Sequence, residues 1–97
     1  MRNYEMMTIV NPDVDTEAYE AWLTKTEKLI TENSGKIESI DRWGRKRLAY
    51  EIQHLTDGNY SVFYFSGEPE TIKEIDRLMK IEDSVLRFMI VKKPETS

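Results

Sequence analysis

At 97 residues with a formal charge of −4, the chain has room for one modest hydrophobic core and not for two. It holds no cysteine and a single histidine, His54. That excludes disulfides, thiol nucleophiles, thiolate metal sites and His-pair metal centres, and it argues against a His-based catalytic constellation. No apolar run approaches the roughly 18 residues of a membrane span, and the opening Met-Arg-Asn-Tyr lacks the apolar stretch of a signal peptide. The expectation is a soluble, unprocessed, intracellular protein with no cofactor and no metal.

Residues 2–10 form a β-prone run ended by Asn11-Pro12-Asp13, which reads as a strand and a turn. Tyr19, Trp22, Leu23, Thr26, Leu29 and Ile30 then recur at spacings of three and four, the face of a helix over 15–33. Asp15 is its N-cap, Glu17 suits the positive helix start, and Gly35 stands where a left-handed C-cap belongs. Lys36 to Gln53 is too long for one regular strand. Its alternation breaks at Trp43-Gly44, so a single bent strand with a bulge at Gly44 is expected. Thr56-Asp57-Gly58 reads as a hairpin turn into the β-prone Tyr60 to Phe65. Pro69 begins a second helix, within 68–83, with the stripe Ile72, Ile75, Leu78 and Met79. Val85 to Val91 is the last strand.

The order strand, helix, strand, strand, helix, strand predicts a ferredoxin-like α+β sandwich. Its antiparallel sheet has spatial order 4-1-3-2, with both helices on one face. The domain is expected over residues 1–93, with a polar tail at 94–97. The alternations assign Met6, Thr8, Val10, Val62, Tyr64, Phe88 and Ile90 to the helix side. Met7, Ile9, Phe63, Phe65, Met89 and Val91 are left as an apolar face with no helix over it, which normally marks a binding surface.

Charge is unevenly spread. The two helical segments hold eleven acidic and five basic residues, a net −6, and the remainder nets +2. Arg42, Arg45, Lys46 and Arg47 place four of the fourteen cations within six residues around Trp43-Gly44. Such a cluster either guards an edge strand against pairing or meets a polyanion or partner. Gly58 to Phe65 shares features with the aromatic strand of RNA-recognition motifs, without its basic first residue and internal glycines. The many carboxylates at helical spacing, Glu70 and Glu74 among them, have no neighbouring nucleophile and read as solvated helix surface.

Several stretches together resemble the family of the sixth small-subunit ribosomal protein of bacteria. They are the opening Met-Arg-x-Tyr-Glu, the Asn11-Pro12 turn, the run from Trp43 through Tyr50 to Ile52, Gly58-x-Tyr60, and Val85-Leu86-Arg87-x-Met89. The resemblance spans essentially the whole chain. It implies a ferredoxin-like fold and binding to the central domain, or platform, of small-subunit ribosomal RNA. It also implies a heterodimer with the eighteenth small-subunit protein, a role in assembly, no catalysis, and a place in the cytoplasmic ribosome. By position it implies RNA contacts from Arg2, Tyr4, Arg45, Lys46, Arg87 and Lys92, and partner contacts from Trp43, Arg47, Leu48, Ala49 and Tyr50. The tail is expected to be short, Lys93 to Ser97, without the extended acidic extension of some members of that family. Two other readings fit a fold of this kind: an acylphosphatase-like hydrolase, which needs an arginine that the 11–14 loop lacks, and a homo-oligomeric, ligand-sensing module.

Overall fold

A computed structural model describes residues 1–93; the tail, 94–97, lies outside the described residues. The elements are β1 (Arg2–Val10), α1 (Thr16–Glu32), β2 (Lys36–Ile52), β3 (Leu55–Gly67), α2 (Pro69–Lys80) and β4 (Val85–Lys92). All strand pairs are antiparallel, in the order β2-β3-β1-β4, which is the expected ferredoxin-like arrangement. The two edges are β2 and β4.

Local chemistry sets the element ends. The Asn11 side chain accepts the Asp13 N–H at 2.9 Å and turns the chain out of β1. Asp15 caps α1 by accepting the Ala18 N–H at 2.7 Å, as the sequence predicts. At the other end of α1 the left-handed residue is Ser34, with φ 67°, and not Gly35. Gly35 is required for close approach instead: a Cβ there would stand 2.8 Å from the Ile30 carbonyl oxygen and 3.2 Å from that of Ser66. The Thr71 hydroxyl accepts the Glu68 N–H and donates to the Asn33 carbonyl at 2.6 Å, tying the start of α2 to the end of α1.

The core lies between the sheet and both helices. Tyr4, Met6 and Val10 meet Phe63 and Phe65 below, with Tyr19, Trp22, Leu23 and Ile30 of α1 and Ile75 and Met79 of α2 above. Trp22 stacks on Tyr19 and sets an edge against Phe63, each with ring centroids 5.8 Å apart. The α1 stripe is therefore as predicted.

The phase of β3 is the reverse of the expectation. Register pairs Tyr4 with Phe65, Met6 with Phe63 and Thr8 with Ser61, so the helix side of β3 is Ser61, Phe63 and Phe65. Val62 and Tyr64 face the open side. The small polar Ser61 is accommodated in the core because its hydroxyl shares a hydrogen bond with that of Tyr19. The β2–β3 turn is also displaced. It consists of Gln53 and His54, with φ of 49° and 67°, the left-handed pair of a type I′ turn. Thr56-Asp57-Gly58 belongs to β3, where Gly58 is needed because a Cβ would lie 2.4 Å from Ile9 Cγ2.

Candidate functional site

The side of the sheet away from the helices is built by register. Glu5, Met7 and Ile9 of β1 lie beside Tyr60, Val62 and Tyr64 of β3 and beside Arg87, Met89 and Val91 of β4. Met89 and Val91 are 56% and 47% exposed. Along this face a groove of about 200 Å³ runs between Trp43, Met7, Val62, Tyr64, Met89 and Val91, with Glu5 among its walls. Lys93 closes on Glu5 at 2.9 Å and lies over the Tyr64 ring, and the carboxylate holds its ammonium pKa above the ordinary value.

Two irregularities in β2 shape the edge of this face. Arg42 pairs with Ser61 and Gly44 with Tyr60, so Trp43 is the extra residue of a bulge. Gly44 carries φ 80°, and a Cβ there would touch nothing within 4 Å, so conformation and not space demands the glycine. The bulge lays the Trp43 ring on that of Tyr60, with centroids 6.3 Å apart and planes 10° from parallel. The indole Nε1 donates to Asp41 at 3.0 Å.

Further on, Arg47 pairs with Asp57 and Ile52 with Leu55, so Leu48 to Glu51 stand opposite Thr56 alone and bow out of the ladder. Leu48 is not presented outward, as a partner contact requires. It is buried, against the same point beside Gly58 that Ile9 approaches. Ala49 and Tyr50 are exposed, and the Tyr50 hydroxyl accepts a hydrogen bond from Arg87. This arm buries Ile9, so the open apolar face is narrower than expected.

The four-cation cluster is divided between two faces. Arg42 lies on the helix side and donates to Glu20 of α1, and Arg45 donates to Asp57; each carboxylate raises the pKa of its guanidinium through that hydrogen bond. Lys46 and Arg47 are exposed and make no ion pair among the described residues. Lys46, paired with Gly58, shares the open side with Trp43.

The other RNA candidates do not form one cluster. Arg2 and Lys92 are exposed at the end of the sheet marked by Tyr4, which pairs with Lys92. Arg87 is five residues back along β4, about 17 Å away at strand spacing. Tyr4 is 7% exposed, its ring stacked on Phe65 at 5.7 Å, so its side chain is a core element and no part of a surface. The bulge signal at Gly44 was readable in the sequence. The pairing of Arg42 with Glu20, and of Arg87 with Tyr50, was not.

A second concavity, about 270 Å³, lies between the helices, lined by Trp22, Leu29, Leu78 and Met79 with Lys25 and Glu82 at its rim. Among the described residues no group of three His, Cys, Asp or Glu could hold a metal, and no helix is long and apolar enough to cross a membrane.

Residues 3–92 match the sequence profile of Ribosomal protein S6. The small ribosomal subunit protein bS6 of Symbiobacterium thermophilum is 53% identical, over 98% of this chain and 100% of the relative. That of Clostridium novyi is 42% identical, over 94% and 96%. The crystal structure of 30S ribosomal protein S6 from Thermotoga maritima superposes with a TM-score of 0.91 at 30% identity, covering 95% of this chain and 87% of that one. The C-terminal domain of the MgtC protein from Mycobacterium tuberculosis shares the fold alone, with a TM-score of 0.58 at 9% identity. The chain belongs to the ribosomal protein S6 family, components of the small ribosomal subunit in the cytoplasm.

Proposed function

We propose that this chain is a structural, non-catalytic protein that binds the platform region of small-subunit ribosomal RNA together with the eighteenth small-subunit protein and assists assembly there. The observation that carries the reading is the asymmetry of the sandwich. One side is covered by helices whose segments net −6, and the other is an apolar sheet with Met89 and Val91 uncovered and with cations at its margins that make no ion pair among the described residues. A chain of charge −4 gains little from counterion release by itself. A basic protein partner seated on the open face would bury its apolar area and supply the missing charge.

Within this reading Arg2, Lys46 and Lys92, which make no ion pair among the described residues, take phosphates, as does Arg47 at the margin of the partner. Arg45 contributes less because Asp57 already holds it, and Arg87 reaches RNA only by leaving Tyr50. Arg47, Ala49 and the exposed edge of Tyr50 line the approach of the partner, with Leu48 beneath them as the anchor of the arm. A phosphate-handling enzyme is disfavoured because the 11–14 loop contains no arginine and the Asn11 side chain is already bound to the Asp13 N–H.

The test is a filter-binding titration of platform RNA with this chain alone and then with equimolar partner. The pair is expected to bind far more tightly. Equal affinity for the chain alone would remove the heterodimer from the proposal.

A further inference from the structure

Beyond general attraction to RNA, and resting on the function proposed above, we infer that the outer face of the Trp43 indole is a stacking shelf for one unpaired nucleobase, with Lys46 holding the adjoining phosphate. Trp43 is 43% exposed, although large aromatic rings are ordinarily covered. Three contacts fix its attitude. The bulge places it on the open side, Tyr60 lies against its inner face in a near-parallel, offset stack, and Asp41 takes its N–H. What remains is a rigid flat π-surface with no polar atom left to satisfy.

The charge beside the shelf distinguishes a nucleotide from an apolar protein side chain as its occupant. Lys46 stands on the same side of β2 and has no ion-pair partner among the described residues, whereas Arg42 and Arg45 are engaged by carboxylates on the helix side. A free cation next to a fixed aromatic plane matches the two parts of a single-stranded nucleotide, a base that stacks on any π-face and a phosphate that seeks a cation. A base in a duplex has both its faces covered, so the ligand is an unpaired residue in a loop, bulge or strand end.

The intact chain is titrated with octa-adenylate and, separately, with a blunt RNA duplex of eight base pairs, reading both filter binding and tryptophan emission. Trp22 is 6% exposed in the core, so a change on binding reports Trp43. Octa-adenylate is expected to quench the emission and the duplex to leave it unchanged. Trp43→Leu is expected to abolish the quench and weaken octa-adenylate binding by about 5- to 150-fold, and Trp43→Phe to retain most of the affinity. Lys46→Ala is expected to keep the quench and lower the slope of log affinity against log salt by about 0.7.

Unchanged octa-adenylate affinity in Trp43→Leu overturns the shelf, as does an absence of quench at saturation, an equal quench by the duplex, or a failure of the parent chain to bind octa-adenylate. If Trp43→Leu then still binds platform RNA with the partner as the parent does, only the shelf has failed. If the parent with its partner does not bind platform RNA, the underlying function has failed. A quench by the partner protein alone that shields Trp43 from octa-adenylate would assign the ring to the protein interface and also overturn the shelf.

Discussion

Arg87 on one edge strand donates a hydrogen bond to the hydroxyl of Tyr50 from the other, with its guanidinium carbon 5.2 Å from the centre of the ring. The contact fastens the bowed segment Leu48 to Glu51 across the open face and over Ile9. A segment outside the sheet ladder would otherwise be free to exchange conformations.

The first prediction follows from that latch. Tyr50→Ala is expected to speed amide hydrogen exchange across residues 48–52 while leaving that of α1 unchanged, and Tyr50→Phe is expected to have a smaller effect because the ring remains under the cation. A double-mutant cycle with Arg87→Ala should give a coupling of about 0.5–1 kcal/mol. Additive single effects would show that the two side chains are merely neighbours.

The helix face supplies the second. Leu23 is 2% exposed in the middle of the α1 stripe, whereas Glu27 on the same helix is exposed. Removing a buried leucine leaves a cavity as well as losing transfer energy, so Leu23→Ala should cost about 2–5 kcal/mol. Glu27→Ala should stay within about 0.5 kcal/mol. Urea unfolding of both variants decides the matter, and equal small losses would mean that α1 does not pack as described.

A third prediction concerns the β2–β3 turn. His54 holds φ 67° with a fully solvated side chain that contacts Glu51 at 3.4 Å, so little packing is lost on its removal. Left-handed backbone costs a non-glycine residue roughly 1–2 kcal/mol. His54→Gly is therefore expected to raise stability by up to about 1 kcal/mol, the added chain entropy of glycine offsetting part of the relief. A lower denaturation midpoint would place the turn elsewhere.

These positions also show where sequence reasoning reaches and where it stops. The α1 face and its Asp15 cap are local, periodic signals, and both were legible. The bulge at Gly44 was legible too, because the alternation on either side of it changes phase. The phase of β3 was not, since Tyr60-Ser-Val-Phe-Tyr-Phe65 is apolar in both registers. The β1 pairing that selects Phe63 and Phe65 for the core joins residues more than fifty positions apart. In retrospect the hydroxyls were a clue: Tyr60 and Tyr64 face the open side and the phenylalanines face the core.

Asp57-Gly58 imitated a turn because its glycine serves a different need, room for Ile9. As for the candidate site, the residue types were readable but their availability was not. Whether a cation is free depends on a carboxylate that the fold brings from another element.

That distinction gives the final prediction. Sequence alone makes Arg42, Arg45, Lys46 and Arg47 equivalent members of a basic cluster, and the structure makes them unequal. Glu20 and Asp57 bind the first pair and raise the guanidinium pKa values by hydrogen bonding, and the partner carboxylates largely cancel the fields of these two cations. Lys46 and Arg47 carry no such cancellation among the described residues. A phosphate approaching the edge displaces counterions from the free pair, but at the engaged pair it must compete with a carboxylate already in place. Each phosphate contact contributes roughly 0.7–0.9 to the slope of log affinity against log salt. With the partner present, Lys46→Ala combined with Arg47→Ala should therefore flatten the slope for platform RNA by about 1.5, and Arg42→Ala combined with Arg45→Ala by much less. The removal of each arginine also frees an acidic group, so the second variant should lose affinity with little change in slope. Filter binding over a salt series measures both quantities. Equal flattening by the two double variants would mean that the ion pairs open on binding and that all four cations reach phosphate.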